Sequence, residues 1–199
     1  MREILFRWRA RGSVAIVSLV ASLLPATGYA HPGHITSAAF ESGLLHPWTG
    51  LDHVAAMLAV GLWATLMPNQ SKLALLGATV VGIVAGTILG AYSEILTYGE
   101  QITAASVVVF GLFASVAGQA RKTLAAMVVA LFCVGHGYVH TAEMPHQFSQ
   151  ASFSGGFLIS MLALQLLGIA IAESLSRRTV LARGTAASCS VFGLVLLLS

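Results

Sequence analysis

Histidine and carboxylate residues stand inside apolar sequence at two places, His46-Pro-Trp-Thr-Gly-Leu-Asp52-His53 and Gly135-His136-Gly-Tyr-Val-His140-Thr-Ala-Glu143. Ionisable groups are costly to hold at membrane depth, and where they occur they mark ion or substrate paths. Imidazole nitrogen with a few carboxylate oxygens is the donor set of a borderline divalent transition metal such as nickel, cobalt, zinc or copper. Calcium or magnesium would call for oxygen-rich sites, and copper(I) for more Cys and Met. The weight falls on nickel, cobalt or zinc, with His46, Asp52, His53, His136, His140 and Glu143 as candidate ligands.

Spacing says which of these can cooperate. His136 and His140 are four apart and share a helix face, with Glu143 three further on. Asp52 is either a ligand or the acceptor that orients a neighbouring imidazole. His46 precedes Pro47, which places it in the turn leading into a helix rather than within one. A single membrane histidine often serves only to hydrogen-bond a neighbouring helix, but two His/acid groups at one depth would need two such costly insertions independently. Cys133, one turn before His136, is an additional soft-ligand candidate, although Cys133 and Cys189 read first as small apolar side chains in separate segments. His31, His34 and His146 are expected in loops, and Trp48, Tyr92 and Tyr98 as interfacial anchors.

The elements that must position these residues are membrane helices. The 199-residue chain is 57% hydrophobic and 9% charged, with a mean hydropathy of +0.86, which is the composition of a polytopic membrane protein. Apolar stretches recur at roughly 48–67, 72–92, 101–119, 123–141, 153–173 and 184–199, each near the length a helix needs to cross hydrocarbon, with the last one short. The expected fold is all-α, a bundle of about six transmembrane helices forming a single domain over residues 31–199. Gly77, Gly82, Gly86 and Gly90 include a small-residue run suited to close helix packing.

Residues 1–30 read as a cleavable signal peptide: Arg2, Arg7, Arg9 and Arg11, a short apolar run, then small residues ending at Ala30. Removing them takes four of ten basic residues and one of seven acidic ones, so the remainder is balanced and gives no reason to expect nucleic acid. The remaining Lys and Arg residues, Lys72, Arg121, Lys122, Arg177, Arg178 and Arg183, all lie in the first, third and fifth connections. The positive-inside rule makes those connections cytoplasmic and the mature N-terminus periplasmic, in a bacterial inner membrane. No phosphate-binding Walker sequence, Gly-x-Ser-x-Gly elbow or His-Glu-x-x-His pattern occurs, so no ATPase or hydrolase is expected.

At these residues the chain resembles the HupE/UreJ family of bacterial metal permeases. The resemblance runs through nearly the whole chain and is carried by Gly43 to Trp63, with His46, Pro47, Gly50, Asp52 and His53 in place, and by His136 to Pro145. It implies inner-membrane uptake of nickel or cobalt without nucleotide hydrolysis, with the metal as substrate, the lipid bilayer as surroundings, no permanent cofactor and no enzymatic activity. Glu100 and Ser106 also sit where the family tends to carry polar residues. Two departures stand out: Tyr138 and Gln165 occupy positions where the family often has histidine. The rival readings are a membrane metalloenzyme holding a catalytic metal on the same residues, and a metal-delivery accessory for hydrogenase, urease or cobalamin synthesis.

Overall fold

The computed structural model describes residues 35–67, 71–92, 98–116, 121–144, 149–175 and 179–198. The expected signal peptide and its cleavage point, and His31, His34 and His146, lie outside them. Seven helices follow in order: α1 (Ile35–Thr49), α2 (Leu51–Leu66), α3 (Ser71–Gly90), α4 (Gly99–Ser115), α5 (Lys122–Ala142), α6 (Gln150–Ser174) and α7 (Thr179–Leu198). There is no strand among the described residues.

Helices α2 to α7 fall on the six apolar stretches. Four helices, within α3, α5, α6 and α7, are long and apolar enough to cross a membrane by length and composition. Helix α4 is shorter, and α1 with α2 passes the same test only as one pair bent by 76°. The last stretch is longer than expected, because α7 begins at Thr179 and recruits Thr179 to Arg183 into its first turns.

Local chemistry explains several of the ends. Met67 after α2 is extended (φ −80°, ψ 150°), the conformation that a following proline, Pro68, imposes on the residue before it. Ser149 begins α6 by accepting a hydrogen bond from the Ser152 amide through its side chain, which satisfies one of the unpaired donors of a first turn. Between α1 and α2 the break is Gly50.

Beyond its first turn helix α2 is apolar on nearly every side, and its His53 to Ala64 stretch is almost wholly buried, as expected of a helix enclosed by others. It contacts α1, α3, α4, α6 and α7. Around it the most extensive pairings are α3 with α5, α4 with α7, and α1 with α6. The surface away from these contacts is apolar: Leu73, Val81, Ile88, Met127, Leu131, Val180, Val191 and Leu198 are all exposed. In water so much exposed hydrocarbon would be a liability, whereas lipid is its natural solvent.

Small residues set the helix separations. A Cβ on Gly82, Gly86 or Gly90 would lie 2.5, 2.1 or 2.5 Å from a backbone oxygen of α5, whereas one on Gly77 would meet nothing within 4 Å. The expected packing run is therefore Gly82, Gly86 and Gly90, at four-residue spacing, with Gly77 outside it.

Helix α1 corrects the sequence reading. His46 is not in a preceding turn but in the last turn of a 15-residue helix that contains Pro47. That helix runs beside the first half of α6: a Cβ on Gly43 would lie 2.0 Å from the Phe153 oxygen, and one on Gly156 would lie 2.2 Å from the Phe40 oxygen. Trp48, half-buried near the end of α1, donates its indole N–H to Ser160 Oγ at 3.1 Å, and Ser160 in turn donates to the Leu44 carbonyl. Tyr92 and Tyr98 are exposed at helix ends, where an anchor belongs.

Candidate metal centre

The break at Gly50 brings the last turn of α1 and the first turn of α2 to one point, and the end of α5 meets them there. His46, His53 and His140 each place one ring nitrogen so that all three lie within 4.8 Å of one another. The helix ends suit the charges: the carbonyl end of α1 faces a cation favourably, while Asp52 in the first turn of α2 offsets that helix's positive end.

The hydrogen bonds sort these side chains into two kinds. His53 Nδ1 lies 2.8 Å from Asp52 Oδ1. A carboxylate oxygen accepts, so His53 donates through Nδ1 and turns Nε2 the other way. That Nε2 lies 2.7 Å from His140 Nε2, within hydrogen-bond distance. Behind His140, Glu143 Oε2 stands 3.7 Å from Nδ1. Two histidines thus turn Nε2 toward each other with a carboxylate at the back of each ring, the arrangement that orients imidazole for a metal. A tetrahedral ion with metal–nitrogen distances of about 2.0–2.1 Å needs its nitrogens about 3.3 Å apart. An ion between His53 and His140 would therefore part these two nitrogens by about 0.6 Å from their 2.7 Å. Glu143, at the end of α5, has its carboxyl held below the ordinary range by the His140 imidazole beside it.

His136 sits apart. Its ring centroid is 5.2 Å from that of His53, but it does not join the three nitrogens. Nδ1 donates to the Phe132 carbonyl at 2.9 Å, which leaves Nε2 as a lone pair with no protein partner in a fully buried ring. Four of the six candidate ligands, His46, Asp52, His53 and His140, meet directly, with Glu143 at the edge and His136 one turn of α5 further in.

Two clefts reach the cluster. One of about 380 Å³ opens between α1, α5 and α6 past Ser42 and Met144. A second of about 260 Å³ is lined by Asp52, Glu100, Thr103 and Glu143 as well as the three histidines, so three acids face the approach. Phe153 and Phe157 close the other side: Phe157 packs against His46, His53 and His140 at centroid distances of 5.3–5.9 Å. These aromatics were not singled out in the sequence, and only their four-residue spacing hinted at a common face.

Gly50 is the other residue not assigned a role in advance. A Cβ there would lie 2.6 Å from His53 Nδ1 and 2.8 Å from Asp52 Oδ1, so in the geometry seen the Asp52–His53 pair occupies the space that a side chain at position 50 would need. Gln165 and Tyr138, where the family often has histidine, are not in the cluster; Gln165 is fully buried deeper in α6.

The sequence matches the family described as HupE / UreJ protein over residues 19–196. It is 33% identical over 156 residues to Protein HupE of Rhizobium leguminosarum bv. viciae, covering 78% of this chain and 81% of that protein. No solved structure matches. On the extent of both matches, this chain belongs to the HupE/UreJ family.

Proposed function

We propose that the protein is an inner-membrane uptake permease for a divalent transition metal, nickel or cobalt foremost, and that His46, His53 and His140 form its capture site. The observation that carries this reading is the convergence of three imidazoles, two of them backed by carboxylates, at the floor of acid-lined clefts. Such a site strips water from a borderline cation yet offers fewer strong ligands than a closed structural centre. His136, with its free Nε2, is the next donor along α5 and receives the ion from the capture site.

In this reading α2 to α7 are six spans, with α1 folded against the outer half of α6. The connections carrying Lys72, Arg121, Lys122 and Arg183 face the cytoplasm, residues 1–30 are removed on export, and the histidine clefts open to the periplasm. The metal is cargo, and no catalysis is assigned. The test is accumulation of radioactive nickel and cobalt by cells expressing the protein, beside a His53→Ala variant inserted at the same level. Wild-type accumulation that the variant loses supports uptake through this site. Absence of accumulation by the wild type for both metals rejects the permease reading.

A further inference from the structure

The glycine contacts sort the helices into interlocked groups. Between α3 and α5 the approach is backbone to backbone: a Cβ on Gly86 would lie 2.1 Å from the Val134 oxygen, and one on Gly137 would lie 2.4 Å from the Ile83 oxygen. The same holds among α1, α2 and α6, where a Cβ on Gly61 would lie 2.3 Å from the Gln165 oxygen and one on Gly168 would lie 2.5 Å from the Leu58 oxygen. Where α5 faces α4, by contrast, a Cβ on Gly99 or Gly135 would meet only the methyl groups of Val139 or Ile102. Backbones in direct contact hold two helices as one body, whereas contacts through side-chain ends can shift by repacking. Helices α3 and α5 are therefore one body, bounded by a seam.

Polar side chains bridge that seam from end to end. Thr141 Oγ1 and Ser154 Oγ are 3.3 Å apart, the His53 and His140 Nε2 atoms 2.7 Å, and Thr79 Oγ1 and Gln165 Oε1 2.9 Å, with Lys72 paired to Glu173 at the far end. Each pair joins α3 or α5 to α2 or α6. The seam is also incompletely closed. A groove of about 240 Å³ separates Val84, Thr87 and Ile88 of α3 from Ala151, Gly155 and Leu158 of α6, and a Cβ on Gly155 would meet nothing within 4 Å. Two buried polar atoms beside it, Thr87 Oγ1 and Gln165 Nε2, have no hydrogen-bond partner, which costs free energy in the closed arrangement.

The histidine cluster is divided by the same seam. His46 and His53 belong to the α1, α2 and α6 group, whereas His140 and His136 ride on α5. An ion held by His46, His53 and His140 together would join the two bodies, and it could leave only when His140 parts from His53.

We propose that α3 and α5 move as one body against α1, α2 and α6, and that this movement releases a captured divalent cation by carrying His140 away from His53. The inference rests on the uptake reading above. A cation biases such a movement through its unequal affinity for the two arrangements: one assembles three imidazoles, and the other separates them. Thr79–Gln165 and Lys72–Glu173 are the latches that open, and rocking of one helix group against another is a movement that side-chain contacts of this kind permit.

Two measurements on the purified full chain test the movement, both in a Cys189→Ala background with the fully buried Cys133 left in place. Thr141→Cys with Ser154→Cys puts two thiols where the hydroxyl oxygens now stand 3.3 Å apart, within reach of a disulfide. In proteoliposomes the oxidised pair should take up nickel roughly tenfold or more slowly than the same protein reduced, while in detergent it binds nickel within about twofold of the reduced form. Each single-cysteine variant should be indifferent to the oxidant. Equal uptake by the oxidised and reduced pair overturns the proposal. Nitroxide labels on Lys72→Cys and Glu173→Cys, both exposed positions, follow the far end by pulsed electron resonance. They should show a shorter and a longer distance whose proportions change with zinc, a diamagnetic ion of the same donor preference. A single distance that zinc leaves unaltered overturns the proposal as well. If the wild type transports neither nickel nor cobalt the permease reading fails, while the label distances still decide whether the seam moves.

Discussion

At the scale of single residues, the site turns on two facing nitrogens. The Nε2 atoms of His53 and His140 stand 2.7 Å apart, and a cation between them needs both bare, because imidazole ligates only through an unprotonated nitrogen. Asp52 favours this by accepting from His53 Nδ1 at the back of the ring. Asp52→Asn keeps a hydrogen-bonding group there but removes the charge that makes the ring a stronger donor. The expected result is a rise of roughly ten- to a hundredfold in the external nickel or cobalt needed for half-maximal uptake. Concentration curves at matched membrane levels measure it, and an unchanged midpoint would mean that the carboxylate charge has no part in capture. Much of this was readable from the chain, since a histidine beside an aspartate and two histidines four apart are patterns a helix turns into geometry. Which nitrogen faces which was not readable: it depends on where α5 meets α2, and the same spacing that put His140 in the cluster leaves His136 bonded to its own helix at Phe132.

At the scale of elements, the decisive feature is a break. The 76° bend between α1 and α2 lets two helix ends share one site, and Gly50 makes the bend compatible with the Asp52–His53 pair. Gly50→Ala would put a methyl carbon within 2.6 Å of His53 Nδ1 and 2.8 Å of Asp52 Oδ1, so one or both side chains must move from the paired geometry. Capture should then fall about as far as in Asp52→Asn, by roughly tenfold or more, with the protein still inserted and folded. Recovery of normal uptake would show that the pair can form around a side chain at position 50. The six later helices were legible because uninterrupted apolar runs of nearly twenty residues have one stable solution in lipid. Helix α1 was not, because Gly43 and Pro47 look like interruptions. In the fold Gly43 is the point where α1 comes against the Phe153 backbone, and Pro47 falls in a last turn that ends two residues on, at Thr49.

At the scale of the whole molecule, the two ends differ. The end where α1, α2 and α5 meet has clefts that reach the histidines past Asp52, Glu100 and Glu143. The opposite end is packed with Leu62, Trp63 and Leu75, all essentially without exposure, and α3 and α6 are joined there by the exposed Lys72–Glu173 ion pair. Uptake requires the acid-lined clefts to face the supply, so the orientation drawn from the basic residues and the placement of the clefts stand or fall together. Reporter fusions decide between the two orientations: junctions after Lys122 and Arg183 should report cytoplasm, and junctions after Tyr98 and Gln147 should report periplasm. The four points sample both faces and both halves of the chain, so a single misplaced junction could reflect a local disturbance by the reporter. Reversal at two or more would place the histidine clefts on the cytoplasmic face. The bundle would then present its capture site to the compartment that receives the metal, and an export or delivery role would replace uptake.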